Sequence, residues 1–348
     1  MRIQVTTMGI IALNSMGFSA EMALKTDANL RVGAIQIESE EGIHSSTLAL
    51  GGSLGIEGEP MEGLRFGTTF YTTQPLFGKD EESMFLSSTN DGYALVGEAF
   101  VEAKWGETTL KVGRQRIETP YADSDDVGMV PNTFEGYMLE SKEIEDTTVV
   151  LASLSRWSGV DSDEPERFNN MEPSGEDVWV AGLLYKGIEN LTLQAWHYRL
   201  DQNNLTYLET AYETDKFSLA GQYTNQEQGN RAFGFLGTLN WNDFTLTTAY
   251  NKAEGKVVNG FGGGPFFTSA EDHTIEIEEF DQEGGRWGVE YNQEQWRVAF
   301  SHAHFKVGED DTDYMVSYAF QPNFTLDVIH SDMYRDGKMT RVFTNYTF

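Results

Sequence analysis

The chain has 348 residues, with 24 basic and 55 acidic side chains and a net charge of −31. That balance argues against nucleic acid as a partner, and the lack of cysteine excludes disulfide scaffolds, thiolate metal centres and cysteine nucleophiles. Apolar residues make up only 39 %, yet aromatics reach 13 % beside 35 glycines and 8 prolines, a balance of a folded β-rich protein rather than a disordered one. No run approaches the ~20 apolar residues of a membrane-spanning helix.

Residues 1–20 (MRIQVTTMGIIALNSMGFSA) set Arg2 before a mildly apolar stretch at 8–13 and end in Phe18-Ser19-Ala20. The pattern is that of a secretory signal peptide cleaved after Ala20, which leaves 21–348 as the mature chain.

From about residue 28 onward, apolar and polar residues alternate in runs of roughly 8–11, the length of a membrane-crossing strand. In 46–57, Leu48, Leu50, Leu54 and Ile56 share one face, while Thr47, Ala49, Gly51, Ser53, Gly55 and Glu57 share the other. The same alternation runs through 217–224 and 244–251, and helical spacing fits none of these segments. Eighteen such segments occur in all, near 29–38, 46–57, 64–73, 93–104, 108–116, 133–141, 147–157, 178–186, 191–200, 205–213, 217–225, 232–241, 244–251, 286–292, 296–306, 313–320, 324–332 and 340–348.

Every second connection is tight, as at 105–107, 187–190, 242–243 and 321–323. Intervening ones are often long, as at 74–92, 117–132, 158–177 and 252–285. Short turns at one rim and long loops at the other describe a transmembrane antiparallel β-barrel of the outer membrane. In lipid, only closure satisfies every backbone group, and eighteen strands leave a lumen too wide for side chains to fill. Aromatics at strand ends (Trp105, Tyr185, Trp241, Tyr250, Trp287, Tyr291, Trp296 and Phe320) suit interfacial girdles, and the last segment ends on Phe348.

Three features sharpen this reading: the segment 110–136 (LKVGRQRIETPYADSDDVGMVPNTFEG), the segment 262–269 (GGGPFFTS) followed by an acidic run, and the long third, fourth and seventh loops. Together they resemble the OprD family of substrate-selective outer-membrane porins of Gram-negative bacteria. The resemblance implies an eyelet narrowed by the third loop (117–132, with Tyr121, Asp123, Asp125 and Asp126) and the seventh (252–285, with Gly263, Phe266 and Phe267). It also implies a ladder of basic residues that guides carboxylate-bearing solutes. Lys111 shares a face with Gly113 and Gln115, opposite Leu110 and Val112, and so points into the lumen. Arg65, Arg286, Arg297 and Arg341 fall on polar faces too, and Arg116 can swing inward where its strand meets the eyelet loop. Alternation turns Arg114 outward unless the strand bulges.

The electrostatics depart from that family. Inward phases also hold Glu57, Glu98, Glu102, Glu140, Glu209, Glu290 and Asp327, and residues 271–283 carry seven carboxylates with no Lys or Arg. Carboxylate rings favour cations and basic rows favour anions, so charge selectivity stays open, with a lean toward cations.

Other motifs have plainer readings. Gly51–Gly55 matches G-x-S-x-G, but Ser53 lies within an alternating strand, not on the strand-to-helix elbow that arms such a serine. His302 and His304 share a face, yet no third ligand stands at a fixed spacing. Acidic clusters at 123–126 and 161–164 lack an EF-hand layout and read as solvated loops with, at most, weak divalent-cation binding. Glycines 262–264 lack the GK[ST] ending of a P-loop and read as a tight inward fold. The expected activity is passive diffusion of small hydrophilic solutes (amino acids, peptides, carboxylates or short saccharides), with no catalytic residue, metal or cofactor. Expected partners are outer-membrane lipid and lipopolysaccharide, in a monomer or weak homotrimer. The alternatives are a surface adhesin or structural barrel and, further off, a barrel lipase.

Overall fold

The computed structural model describes residues 24–348 except 40, 41, 43, 79–82, 202, 276–280 and 335–336. The expected signal peptide, residues 1–20, lies outside the described residues.

Eighteen long strands make up the molecule: β1 Leu24–Glu38, β2 His44–Met61, β3 Leu64–Phe77, β4 Tyr93–Trp105, β5 Thr108–Gln115, β6 Thr133–Ile144, β7 Thr147–Ser158, β8 Val178–Ile188 and β9 Leu191–Arg199, then β10 Asn204–Glu213, β11 Phe217–Gln226, β12 Arg231–Trp241, β13 Phe244–Glu254, β14 Glu283–Gln293, β15 Trp296–Phe305, β16 Asp311–Gln321, β17 Phe324–Asp332 and β18 Lys338–Thr347. Each pairs antiparallel with its neighbours in sequence. β1 also pairs with β18, so that Ala34 faces Leu48 on one side and Val342 on the other. The sheet therefore closes and leaves no free edge, the condition for a backbone in hydrocarbon. No α-helix occurs among the described residues.

All eighteen expected segments are strands, and the differences lie at their ends. β1 begins at Leu24 rather than near 29, and β2 continues to Met61. Alternation marks only the part of a strand that meets lipid, whereas ladder pairing continues past it toward the rims. The tight turns between β6 and β7, β8 and β9, and β12 and β13 place Asp146, Asn190 and Asn242 at φ of 55°, 62° and 52°. Asx side chains tolerate this left-handed conformation, which short hairpin turns require.

The outer face is apolar: Leu54, Val101, Leu151, Leu183, Leu219, Phe235 and Leu246 are all exposed. Between β8 and β12 it carries a depression of about 650 Å³ lined by Leu183, Leu193, Leu208, Tyr223 and Phe235. A water-soluble surface does not display such a band; a lipid-facing wall requires it. Trp105, Trp241, Trp296 and Phe320 project from it near the short-turn rim.

Burial is concentrated inside the barrel, toward the long-loop rim. One cluster joins Ile117, Tyr121 and Ala122 of the third loop to Phe134, Trp157, Tyr198 and Tyr207. A second gathers Ile35, Tyr71, Phe85, Met129 and Phe343, and a third packs Val257, Phe266 and Ile275 on Ala232 and Ala253.

Candidate functional site

The third loop leaves β5 and folds back on itself. Its pairs Glu118–Asp123 and Thr119–Ala122 form a miniature hairpin, closed by the Thr119 hydroxyl donating to the Ala122 carbonyl at 2.9 Å. Ser124 holds the base of the hairpin, its hydroxyl accepting from the Ile117 amide at 2.8 Å. At the tip, Tyr121 is almost wholly buried.

The seventh loop crosses to meet it. The Asp123 amide donates to the Phe261 carbonyl and the Phe261 amide to the Tyr121 carbonyl, each at 2.9 Å, which makes a parallel bridge between Ala122 and Phe261. Such close approach leaves no room for side chains. A Cβ at Gly260 (φ 88°) would lie 2.4 Å from the Tyr121 oxygen, and one at Gly262 (φ 105°) 2.5 Å from the Asp123 oxygen. Phe266 anchors the far end of the loop against the wall at Ala232 and Ala253, and Gly263 brings the backbone beside the Asp125 carboxylate. Phe267 is half-buried.

Charged groups of both signs gather around the joined loops. Arg31 of β1 makes a bidentate pair with Asp126 at 2.7 and 2.8 Å, and also donates to Asn345 and the Gly128 carbonyl. Arg341 of β18, with 1 % of its side chain exposed, donates to Glu271 of the seventh loop at 2.9 Å. With Asp125 and Arg297 these residues line a cavity of about 370 Å³. Arg116 donates to the Ser124 carbonyl at 3.1 Å and lines an adjoining cavity of about 300 Å³ with Arg31, Tyr71, Glu98 and Asp126. Burial, reinforced by a hydrogen bond with Glu118, pushes the Asp123 carboxyl up to about 6. Burial also raises Asp125.

Of the other basic positions, Arg65, Lys111 and Arg114 lie apart from this centre, while Arg286 and Arg297 border it. Arg65 bridges Glu102 at 2.8 Å and Glu57 at 3.4 Å near the short-turn rim. The Lys111 ammonium sits 3.8 Å from the centre of the Phe100 ring, within cation–π range. Arg286 donates to the Ser269 carbonyl and the Ser301 hydroxyl, and Arg297 to Glu290 at 2.7 Å. Arg114 pairs across the ladder with Glu135, in phase with the exposed Tyr137.

Sequence reasoning passed over Arg31, although it lies between Leu30 and Val32 and the same alternation turns it inward. It passed over Glu271 as a partner for Arg341 as well, a pairing that depends on the course of the loop. His302 and His304 bond separately, to Thr312 at 2.9 Å and Asp310 at 2.7 Å. Ser53 lies within β2. Asp126 is taken up by Arg31 and Asp161 accepts from Asn132 at 2.9 Å. The three-carboxylate grouping among the described residues is elsewhere, at Asp272, Asp311 and Asp313.

A closed eighteen-stranded barrel, apolar outside and charged within, with two long loops joined in its interior, defines an outer-membrane barrel of the porin type. The family model for outer membrane porins of the OprD family matches residues 83–292, and the chain belongs to that family. Solved structures agree in fold. OpdK of Pseudomonas aeruginosa superposes with a TM-score of 0.80 at 16 % identity, over 94 % of this chain and 98 % of its own. The same protein with vanillate gives 0.80 at 16 % identity over 93 % and 98 %. OccAB1 of Acinetobacter baumannii gives 0.76 at 17 % identity over 93 % and 96 %. Among curated proteins, none matches the sequence.

Proposed function

We propose that the chain is a passive, substrate-biased porin whose third and seventh loops form the narrow point of the channel. The observation that carries this reading is the fastening of the two loops to each other and of Tyr121 to β9, β10 and β11, which sets rigid backbone across the lumen. A solute passing that point meets Arg31 and Arg297 together with Asp125, Asp126 and Glu271, with Arg341 buried behind Glu271. Small solutes carrying both charges, amino acids and short peptides, suit such a lining best. Organic carboxylates and short saccharides come next, and vanillate, present in a similar barrel, is a carboxylate. Dense carboxylates favour cations over anions for simple salts, and attraction must stay weak enough for release. The protein reaches the outer membrane after loss of residues 1–20 and stands there against lipopolysaccharide as a monomer or weak homotrimer.

Single-channel recording in planar bilayers tests the reading. Discrete conductance steps and a reversal potential of cation-selective sign in a salt gradient are expected. A silent bilayer would leave an adhesive or structural barrel instead. Proteoliposome swelling, faster with glycine or lysine than with a neutral sugar of equal size, tests the solute class.

A further inference from the structure

Negative charge is poorly compensated where the seventh loop meets β16. Asp272 of the loop and Asp311 and Asp313 of the wall bring carboxylate oxygens within 4.8 Å of one another. Residues two apart in a strand face the same way, so Asp311 and Asp313 present their carboxylates together, with 0 % and 5 % exposure. The Asp313 oxygens are served by the hydroxyls of Ser331 at 2.8 Å and Ser301 at 3.2 Å and by the Glu271 amide at 3.3 Å. Asp311 is different. Its Oδ2 receives the Asp272 amide at 3.3 Å and lies 3.4 Å from His273 Nδ1, while its wholly buried Oδ1 accepts no hydrogen bond. Arg341 is committed to Glu271 and stands 3.9 Å from Asp272, and Arg286 spends its donors on the Ser269 carbonyl and the Ser301 hydroxyl.

A buried carboxylate oxygen with no hydrogen bond, in a group of three carboxylates whose cationic neighbours are His273 at 3.4 Å and an arginine at 3.9 Å, is under-compensated. The geometry points to a divalent-cation site formed by Asp272, Asp311 and Asp313, which pins the seventh loop to the barrel wall. The carboxylate ligand set is hard and oxygen-only, the chemistry of Ca²⁺. Three carboxylates, each able to bind through one or two oxygens, leave room for water to complete its six to eight positions. The site rests on the loop's docked position and not on conduction, so binding and channel activity fail independently.

Isothermal titration of the chelator-treated, detergent-solubilised full chain with CaCl₂ tests this. One equivalent is expected to bind, with affinity on the order of the 10⁻⁴–10⁻³ M of extracellular calcium modules or tighter. Asp311→Asn and Asp272→Asn are each expected to weaken it at least tenfold, with barrel assembly verified by heat-shifted gel mobility. Asp272→Asn alters only the loop, so it reports even if Asp311→Asn does not assemble. Absence of a binding heat in the unaltered chain, or a heat retained at full affinity in either assembled variant, overturns the proposal.

Discussion

Tyr121 donates its hydroxyl to Thr224 at 2.7 Å across 103 residues of sequence, while its ring meets Tyr198 and Tyr207 edge-on at 5.3 and 6.1 Å. The tip of the third loop is thus held on a stretch of wall five strands from its own. Tyr121→Phe keeps the ring packing and is expected to cost only about 1 kcal/mol, with conductance near that of the parent. Tyr121→Ala removes the ring as well and is expected to cost about 3–5 kcal/mol, giving larger and noisier conductance steps. Thermal unfolding and single-channel recording check the pair.

Arg31 and Asp126 are held in a partly shielded bidentate pair, a charge-assisted geometry. Arg31→Ala strips Asp126 of its partner, so the reversal potential is expected to move toward cations with a loss of about 1–3 kcal/mol of stability. Asp126→Asn is expected to move it the opposite way. Equal reversal potentials in the two variants would take this pair out of the ion path.

Lys111 lies over Phe100 on the inward phase of β5. Lys111→Glu changes the local charge by two units and is expected to raise cation selectivity. An unchanged reversal potential would show that the ammonium does not face permeating ions.

The Asp123 carboxyl, raised to about 6 from 3.8 by burial and Glu118, makes the loop pH-sensitive. For a raised carboxyl, the stabilising contribution is complete below the unfolded value and is lost as pH rises through the folded one. Acidification from pH 7.5 to 5 is therefore expected to firm the third loop and neutralise one carboxylate beside the lumen, lowering cation preference with a midpoint near 6. Asp123→Asn is expected to abolish that step in reversal potential. A titration that persists in the variant would assign it to another group.

Phe235 lies near the middle of β12 with its ring on the outer face, whereas Thr238 has the opposite phase. Phe235→Arg is expected to cost about 2–4 kcal/mol, the penalty for a guanidinium at the bilayer midplane. Thr238→Arg, facing the lumen, is expected to cost far less. Urea unfolding from lipid vesicles measures both.

The barrel was legible because lipid on one side and water on the other impose a period of two on every strand. The same period placed Lys111 and Arg341 inward, and applied to β1 it would have placed Arg31. What it could not reach was the loop architecture. That Tyr121 finds Tyr198, that Asp123 shares backbone bonds with Phe261, and that Asp272 comes to Asp311 all depend on loop paths fixed by tertiary packing. Gly262 hinted at close approach through its glycine-rich setting, but Gly260, equally crowded by Tyr121, stood outside that run. Charge raised a similar difficulty: sequence counts carboxylates, while the structure decides which of them an arginine neutralises.

The bridge between Ala122 and Phe261 has a mechanical result. Two segments from distant parts of the chain are yoked into a single brace, so neither yields without dragging the other. On the proposed reading of these loops as the narrow point of the channel, a solute leaning on the third is resisted also by the anchorage of the seventh at Phe266. Widening of the passage is then one concerted displacement, and the current record should switch between a few shared levels instead of flickering as two independent flaps would.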